Sequence, residues 1–417
     1  MVTYYLCFLV LFTPSATAQV KSDTLLSLQA LIQEALQANP VLQASRLAAA
    51  AQRTRSTQAR AWPDPSLEVS YRPLALGGLD GAVPASLTLM QEVPFPGKRT
   101  LEGKSAFLEA EAMVHEADVQ ALKLVYALRT TYYELYRLGE TRRLIEAFRE
   151  RLAAFAEAAT VRYKVGQESQ AAVLRLQLER HTLTQRLLAL QEAWQTQFAY
   201  LRQLTGRADW PDTLALVPPA LPTVFPVVPI EEALRRHPEA LALTFREQQA
   251  YTELQRARRD FWPDLVLGVG LMDMMNTPVA PLHDLGARLS IRFGVVLPLQ
   301  RPRRAAYIEE TQLTAKRWAA QYADLRNQLT SRFRALQAQF AAAQASLMLL
   351  EQTLLPQART TREALLSAYT TGQASYLDLL DAERALFELE HQRLETFTRL
   401  LVMAAEADMV LGILPQP

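Results

Sequence analysis

The chain has 417 residues, of which half are hydrophobic, so its length allows two or three domains. Its 44 basic and 43 acidic residues nearly cancel, which excludes a strong overall field that would attract nucleic acid or an anionic surface. The single cysteine, Cys7, lies in an N-terminal apolar run, so disulfide and thiolate chemistry are excluded from the rest of the chain.

Residues 1–18 are predicted to be a secretory signal peptide. The apolar run is followed by the small-residue triplet Ala16-Thr17-Ala18, which is typical of a cleavage site before Gln19. No Lys or Arg precedes the run, which leaves open whether Met1 is the true start. No other segment reaches the roughly 20 apolar residues of a membrane helix, so a bilayer crossing would require strands.

The remaining chain repeats itself with offsets of 198, 200 and 206 residues. Such a fixed period marks a structural unit that occurs twice. The first repeat is predicted at 19–205 and the second at 230–417. The landmarks that recur in the same order are Ile32–Pro40 with Ile230–Pro238, Ala61–Asp64 with Phe261–Asp264, and Tyr163–Ser169 with Tyr369–Ser375.

Each repeat begins with helices and continues into a β-hairpin. Proline disfavours helix in the residue before it, so Trp62 and Trp262 mark the ends of the initial helices. Apolar and polar residues then alternate with a period of two. This pattern predicts hairpins at about 65–93 and 264–297, each with one face in an apolar medium and the other in water.

Long helices are predicted after each hairpin, because leucine and other apolar residues recur at spacings of three and four. The first helix, from about Lys98 to Lys164, would be roughly 100 Å long at 1.5 Å per residue. We expect antiparallel helical hairpins at about 98–205 and about 302–412, with reversals at Gly166 and Gly372.

A proline-rich segment at 206–229 connects the two repeats. It is either a flexible linker or an extended strap that packs on the helices. Its apolar residues favour the strap, since solvated linkers seldom carry as much hydrophobicity. These apolar residues are Leu214, Leu216, Leu221, Val224 and Phe225.

Four strands per chain cannot close a membrane sheet, whose unpaired edges would cost several kcal/mol per group in hydrocarbon. Single-chain barrels begin at eight strands, where side chains still fill the interior. An open pore therefore requires at least three chains. The predicted fold class is an internally duplicated α+β membrane protein. Its long coiled-coil hairpins form an α-barrel, and each chain gives four strands to a trimeric, 12-stranded transmembrane β-barrel.

The order of these segments resembles the TolC-like outer membrane efflux proteins of Gram-negative bacteria over nearly the whole mature chain. The most specific motifs are the turn segments Tyr163–Leu174 (YKVGQESQAAVL) and Tyr369–Leu380 (YTTGQASYLDLL). Val93–Arg99 (VPFPGKR) is most similar to the heavy-metal, CzcC-like branch.

The resemblance implies a homotrimeric exit duct in the outer membrane lipid that extends into the periplasm. It would passively conduct substrates delivered by a periplasmic adaptor and an inner-membrane pump of the RND type, with heavy-metal cations among the candidates. No enzyme activity, cofactor or nucleic-acid partner is expected. The alternative is a periplasmic coiled-coil adaptor or scaffold whose strands belong to a soluble domain. The cargo, the particular pump and the gating mechanism are left open.

The resemblance also implies that the glycine turns form a periplasmic tip. Tyr369 and Asp378 are the candidate pore constriction, although the first repeat has Ala172 at the acidic position and Ala374 replaces a basic residue of some relatives. Asp378 either belongs to a cation-selective ring of three carboxylates or is a solvated first-turn aspartate. The candidate adaptor contacts are Tyr163, Gly166, Ser169, Tyr369, Gly372 and Ser375.

Two other sets of charged residues point to no substrate or metal site. The five histidines show no close pair at ligand spacing, and His115, with Glu111 one turn away, is expected to form a helix-surface pair. The basic residues near the hairpins are expected to anchor the chain at the membrane interface. They are Lys98, Arg99, Arg301, Arg303 and Arg304.

Overall fold

The computed structural model describes residues 27–71, 83–166, 168–207, 216–221, 225–226, 228–275 and 288–414. The predicted signal peptide, Leu214 and Val224 lie outside these ranges. The first repeat contains α1 (Leu28–Ala38), α2 (Pro40–Arg60), β1 (Ser66–Tyr71), β2 (Val83–Val93), α3 (Lys98–Lys164) and α4 (Gln170–Thr205). The second contains α5 (Ile230–Arg236), α6 (Pro238–Arg259), β3 (Asp264–Met275), β4 (Arg288–Val296), α7 (Arg301–Leu349), α8 (Leu355–Thr370) and α9 (Tyr376–Val410).

The four strands form one antiparallel sheet in the order β1-β2-β3-β4. Leu67 pairs with Leu89, Leu89 with Val269, and Val269 with Ile291, so their side chains share one face. That face carries a continuous layer of exposed apolar side chains. Its most exposed members are Val69 at 71%, Leu67 at 62%, Leu289 at 66%, Ile291 at 65% and Phe293 at 80%.

The opposite face of the sheet is polar and closely packed. Thr88 lies opposite both Glu68 and Gly270, and Gly270 lies opposite Ser290. A Cβ atom at Gly270 would lie 2.8 Å from Ser290 Oγ and 3.0 Å from Thr88 Oγ1. The alternation predicted from the sequence therefore produces one apolar and one polar surface.

Helix α3 is the axis of the described chain, since it contacts α2, α4, α6 and α9. It has 67 residues, which corresponds to about 100 Å. Asn39, between the short helices α1 and α2, connects them to the end of the long helix α4. Its Oδ1 accepts from the Val41 and Leu42 amides, while its Nδ2 donates to the Leu204 carbonyl at 2.9 Å.

The long helix of the second repeat changes from α-helical to π-helical hydrogen bonding just before Pro356. Leu350–Leu354 form a π-helical turn, and Pro356 follows within the first turn of α8, where the missing N–H of proline breaks no regular helical hydrogen bond. Between the repeats, Phe225 packs against Phe333 and Phe340 at ring-centroid distances of 5.5 and 5.2 Å. The described part of the connecting segment thus contacts the helices.

Within the described ranges, none of the helices combines the length and the apolarity that a bilayer-spanning helix needs.

Candidate functional site

The two helical hairpins reverse at glycines in the left-handed region of backbone space. Gly166 has φ of +76° and Gly372 has φ of +77°. A Cβ atom at either position would meet no atom within 4 Å, so the backbone conformation, rather than crowding, favours glycine. Both reversals lie where the repeated motif predicts them.

Serine caps the returning helix after each reversal. Ser169 Oγ accepts from the Ala172 amide at 3.2 Å, and Ser375 Oγ accepts from the Asp378 amide at the same distance. Asp378 completes a capping box, because its Oδ2 accepts from the Ser375 amide at 3.1 Å. The first repeat has Ala172 at this position and therefore cannot form the reciprocal bond.

The Asp378 carboxylate is exposed at the start of α9. Hydrogen bonds from the Ser375 hydroxyl and the Ser375 amide hold the pKa of Asp378 below its ordinary value. The group is therefore a fixed negative charge at neutral pH. Asp378 thus takes part in capping α9, and its charge is also accessible to solvent.

The two predicted tyrosines occupy different environments. Tyr163 is 44% exposed, whereas Tyr369 is 5% exposed. The guanidinium carbon of Arg162 lies 4.2 Å from the centroid of the Tyr369 ring, and Arg162 also donates to the Tyr369 carbonyl at 3.1 Å. Burial raises the pKa of Tyr369, and the positive charge of Arg162 partly offsets this effect.

A single apolar cluster joins the ends of the two hairpins. Phe148 of α3 stacks on Phe387 of α9 with ring centroids 5.0 Å apart. Leu152 and Leu176 from the first hairpin and Leu379 from the second are fully buried in the same cluster. The hairpins therefore pack as one body at this end of the described chain.

A buried carboxylate lies in the same region. Glu383 of α9 has no exposed surface and accepts from Arg151 of α3 at 3.0 Å and from Arg362 of α8 at 2.8 Å. The carboxylate thus connects three helices, one of them from the other repeat. Its hydrogen bonds to two arginines satisfy the requirement that a buried charge be paired.

Two members of the predicted basic set, Lys98 and Arg99, lie at the end of the sheet and bind other groups of the chain. Lys98 Nζ contacts Asp264 Oδ1 at 2.9 Å and donates to the Trp262 carbonyl at 3.0 Å. The Arg99 guanidinium lies 3.9 Å from the Trp62 ring centroid. These contacts fix the start of α3 against the start of β3 and the end of α2.

The pair of His115 with Glu111 that the sequence suggested is not formed. His115 contacts Asp118 at 3.4 Å and stacks on Phe245, while Glu111 pairs with Arg53 at 3.1 Å. Spacing by four residues favours the Glu111 pair on an isolated helix, but Arg53 of α2 and Phe245 of α6 supply other partners.

Comparison with known proteins relates part of the chain to a known family. The profile described as outer membrane efflux protein matches residues 31–207. The cobalt-zinc-cadmium resistance protein CzcC of Cupriavidus metallidurans is 27% identical over 167 residues, which are 40% of this chain and 37% of CzcC. The matched part thus spans little more than a third of that relative.

Solved structures extend the comparison to nearly the whole chain. CusC aligns with a TM-score of 0.78 at 16% identity and covers 92% of each chain. The outer membrane channel MtrE of Neisseria gonorrhoeae aligns with a TM-score of 0.78 at 18% identity, over 93% of this chain and 89% of MtrE. The fold of this chain is therefore similar to the folds of CusC and MtrE.

The predicted tip residues other than Tyr163 fall into two groups. Gly166, Ser169, Gly372, Ser375 and Asp378 lie at the two reversals, while Tyr369 is held against the first hairpin. Sequence reasoning missed the charged residues that join the hairpins, and four of these hold Tyr369 or form the buried Glu383 contact. These four are Arg151, Arg162, Arg362 and Glu383.

One of these residues carried a detectable signal. Glu383 follows Leu379 by four residues and precedes Leu386 by three, so it lies in line with an apolar seam. A carboxylate at such a position requires a partner when the seam is buried. The partners Arg151 and Arg362 come from other helices, and no local spacing identifies them.

Proposed function

We propose that this chain is the outer membrane exit duct of a tripartite efflux system in a Gram-negative cell. The observation that carries the proposal is the sheet, whose four strands expose one continuous apolar face beside helices about 100 Å long. Such a face suits a hydrocarbon surrounding. The long helices suit a conduit that continues from the membrane into the periplasm.

A homotrimer is the smallest assembly that fits this sheet. Both of its edge strands, β1 and β4, need partners in hydrocarbon. Two copies would supply eight strands, a number at which side chains fill the interior. Three copies supply twelve strands around an open lumen and six helical hairpins around its continuation.

The reversals at Gly166 and Gly372 form the periplasmic tip of the duct in this proposal. The exposed residues there, Tyr163 among them, would contact the periplasmic adaptor, and Tyr369 with Asp378 would narrow the pore. The Arg162 contact supports a closed arrangement, because it draws Tyr369 toward the first hairpin. Three copies of Asp378 would place three fixed negative charges around the axis.

Heavy-metal cations are the cargo we favour. CzcC is described as a cobalt-zinc-cadmium resistance protein, and the motif Val93–Arg99 resembles that branch. The duct would act passively, so cargo identity follows from the inner-membrane pump, of RND type in this proposal. Cations in transit need only a hydrated path with favourable charge and no resident binding site.

The alternative, a periplasmic adaptor or scaffold, is disfavoured by the sheet. A soluble domain would expose its apolar strand residues to water, whereas contiguous exposed apolar patches are rare on soluble proteins. The exposed fraction of the Phe293 side chain, 80%, illustrates the difficulty.

Membrane fractionation and a resistance assay test the proposed function together. We expect the protein in the outer membrane fraction and a trimer in native mass measurement after mild detergent extraction. Deleting its gene should raise sensitivity to divalent metal ions, and the intact gene should restore resistance. A soluble periplasmic monomer would contradict the proposal, whereas an outer membrane trimer without a metal phenotype would contradict only the cargo.

A further inference from the structure

The contact between the two repeats of one chain is a template for a contact between copies. Strand β2 pairs with β3, and α3 packs on α6. At the end of the sheet, Lys98 from the start of α3 binds the carboxylate of Asp264 at 2.9 Å. Both side chains are largely buried, with 13% and 21% of their surfaces exposed.

Internal symmetry identifies the counterparts of this pair. Arg99 donates to the Arg60 carbonyl at the end of α2, and Arg304 donates to the carbonyl of Asp260, the counterpart of Arg60, at the end of α6. Arg304 therefore occupies the place of Arg99. The residue before each arginine is then equivalent as well, so Arg303 corresponds to Lys98. The repeated Trp-Pro-Asp motif makes Asp64 the counterpart of Asp264.

These counterparts do not meet within one chain. Asp64 precedes the edge strand β1, and Arg303 follows the opposite edge strand β4. Both side chains are exposed, and neither has an ion pair among the described residues. Each repeat thus supplies both halves of the contact, but the chain satisfies only one of its two possible pairs.

Apolar residues show the same imbalance. Phe95 stacks on Trp262 at 5.1 Å, whereas its counterpart Leu299 is 80% exposed. The two tryptophans do not differ in this respect, since Trp62 and Trp262 are both 57% exposed. Nine residues after Arg99, Leu108 of α3 is 6% exposed, while Leu313 of α7, nine residues after Arg304, is 58% exposed. The apolar surface that is buried where the first repeat packs on the second is therefore exposed at the corresponding outer edge of the second repeat.

We infer that Arg303 of one copy binds Asp64 of the next copy and that Leu299 packs on the free side of the Trp62 ring. The inference rests on the proposed trimeric duct and specifies how its subunits join. It gives three equivalent ion pairs between copies, which alternate around the ring with the three Lys98–Asp264 pairs inside the copies.

The same symmetry sets the register of the strands between copies. Leu67 pairs with Leu89 in the first hairpin, and Leu267 pairs with Phe293 in the second, so Leu89 and Phe293 are equivalent. Because Leu89 pairs with Val269 inside the chain, Phe293 should pair with Val69 of the next copy. Both side chains then remain on the apolar face.

One hydrogen bond of the internal contact is not reproduced. The Phe95 amide donates to Asp264 Oδ1 at 2.6 Å, but the Leu299 amide already donates to the Leu297 carbonyl at 3.0 Å. The contact between copies therefore depends on the arginine–carboxylate pair and the ring contact. Arginine suits this role because it can form two parallel hydrogen bonds with one carboxylate.

Disulfide trapping tests the register, with the internal pair as a matched control. In a Cys7→Ser background, Val69→Cys with Phe293→Cys should give covalent dimers and trimers on non-reducing gels. Leu89→Cys with Val269→Cys should give only a cross-linked monomer. Directly paired antiparallel residues have Cα atoms about 4.5–5.5 Å apart, which permits a disulfide. A native trimer without the first cross-link overturns the register, whereas a native monomer overturns the proposed duct itself.

Charge reversal tests the ion pair. Asp64→Arg and Arg303→Asp should each lower the temperature at which the extracted trimer dissociates, and combining them should restore most of that loss. Arg301→Asp is the control, since Arg301 is an exposed neighbour outside the inferred pair. If the combination does not recover, or Arg301→Asp has the same effect as Arg303→Asp, the pair is wrong. A single variant that fails to assemble leaves the combined variant as the deciding measurement.

Discussion

Arg162 of the first helical hairpin holds Tyr369 of the second by two contacts. Its guanidinium carbon lies 4.2 Å from the ring centroid, and it donates to the Tyr369 carbonyl at 3.1 Å. The two residues are 207 positions apart in the chain. The contact therefore links the ends of the two repeats where the proposed duct is narrowest.

Replacing Arg162 by Ala should shift the proposed duct toward its open state. The loss of a cation–π contact and one hydrogen bond removes about 2 kcal/mol from the closed state, or roughly a thirtyfold change in the equilibrium. Planar bilayer recordings should then show a higher open probability. Arg175→Ala, at an exposed position near the start of α4, is the control. An Arg162→Ala channel that opens no more often than this control contradicts the assignment.

A bulky residue at Gly372 should impair export and leave membrane insertion intact. The backbone there has φ of +77°, which costs a residue with a side chain about 1–2 kcal/mol, and the reversal would rearrange. Gly372→Leu is compared with Gly139→Leu, because Gly139 lies inside α3 and also has open space around its Cβ position. Outer membrane yield and metal resistance are measured for both. Resistance that is equal in the two variants would exclude a functional role for the reversal.

Sequence reasoning predicted the regular parts of this fold because they follow from local periodicity. The period of two placed Leu67 and Ile291 on one face of the sheet, and the spacing by three and four placed α3 from Lys98 to Lys164. Repetition of a whole motif also located Gly166 and Gly372. Each of these signals is contained in a short stretch of the chain.

The contacts that join the hairpins depend on residues distant in sequence. In the sequence, nothing distinguishes Arg162 from the other helix arginines. Its role is visible only in the structure, where it lies beside Tyr369. His115 was assigned to Glu111, whereas its neighbours are Asp118, three residues along the same helix, and Phe245 of α6. Side-chain pairing between helices depends on their rotation about their axes, which apolar spacing defines only approximately.

Asp378→Asn should reduce the cation selectivity of the proposed duct with little effect on its assembly. The amide removes three charges from the tip of a trimer, although its side-chain oxygen can still accept from the Ser375 amide. Asp381→Asn is a suitable control, because Asp381 is exposed one turn farther along the helix. Reversal potentials in a salt gradient measure the selectivity. Wild-type values for Asp378→Asn would leave this residue with a capping role only.

Glu383→Gln should destabilise the joined helical hairpins. The fully buried carboxylate contacts Arg151 and Arg362, and breaking a buried ion pair costs about 3–5 kcal/mol. Both arginines are partly exposed, at 32% and 26%, so water compensates them and the lower end of that range is expected. Thermal unfolding of the helices, followed by circular dichroism in detergent, measures the loss.

Glu388→Gln provides the matched comparison for Glu383→Gln. Glu388 lies five residues farther along α9, is 64% exposed and contacts Arg186 at 3.7 Å. Exposed pairs of this kind contribute about 0.2–1 kcal/mol, so its unfolding temperature should stay near that of the wild type. If both variants unfold at the same temperature, Glu383 does not stabilise the union of the two hairpins. If only Glu383→Gln is destabilised, the buried carboxylate stabilises the packing that keeps Arg162 beside Tyr369. The open probability of the Glu383→Gln channel should then rise as well.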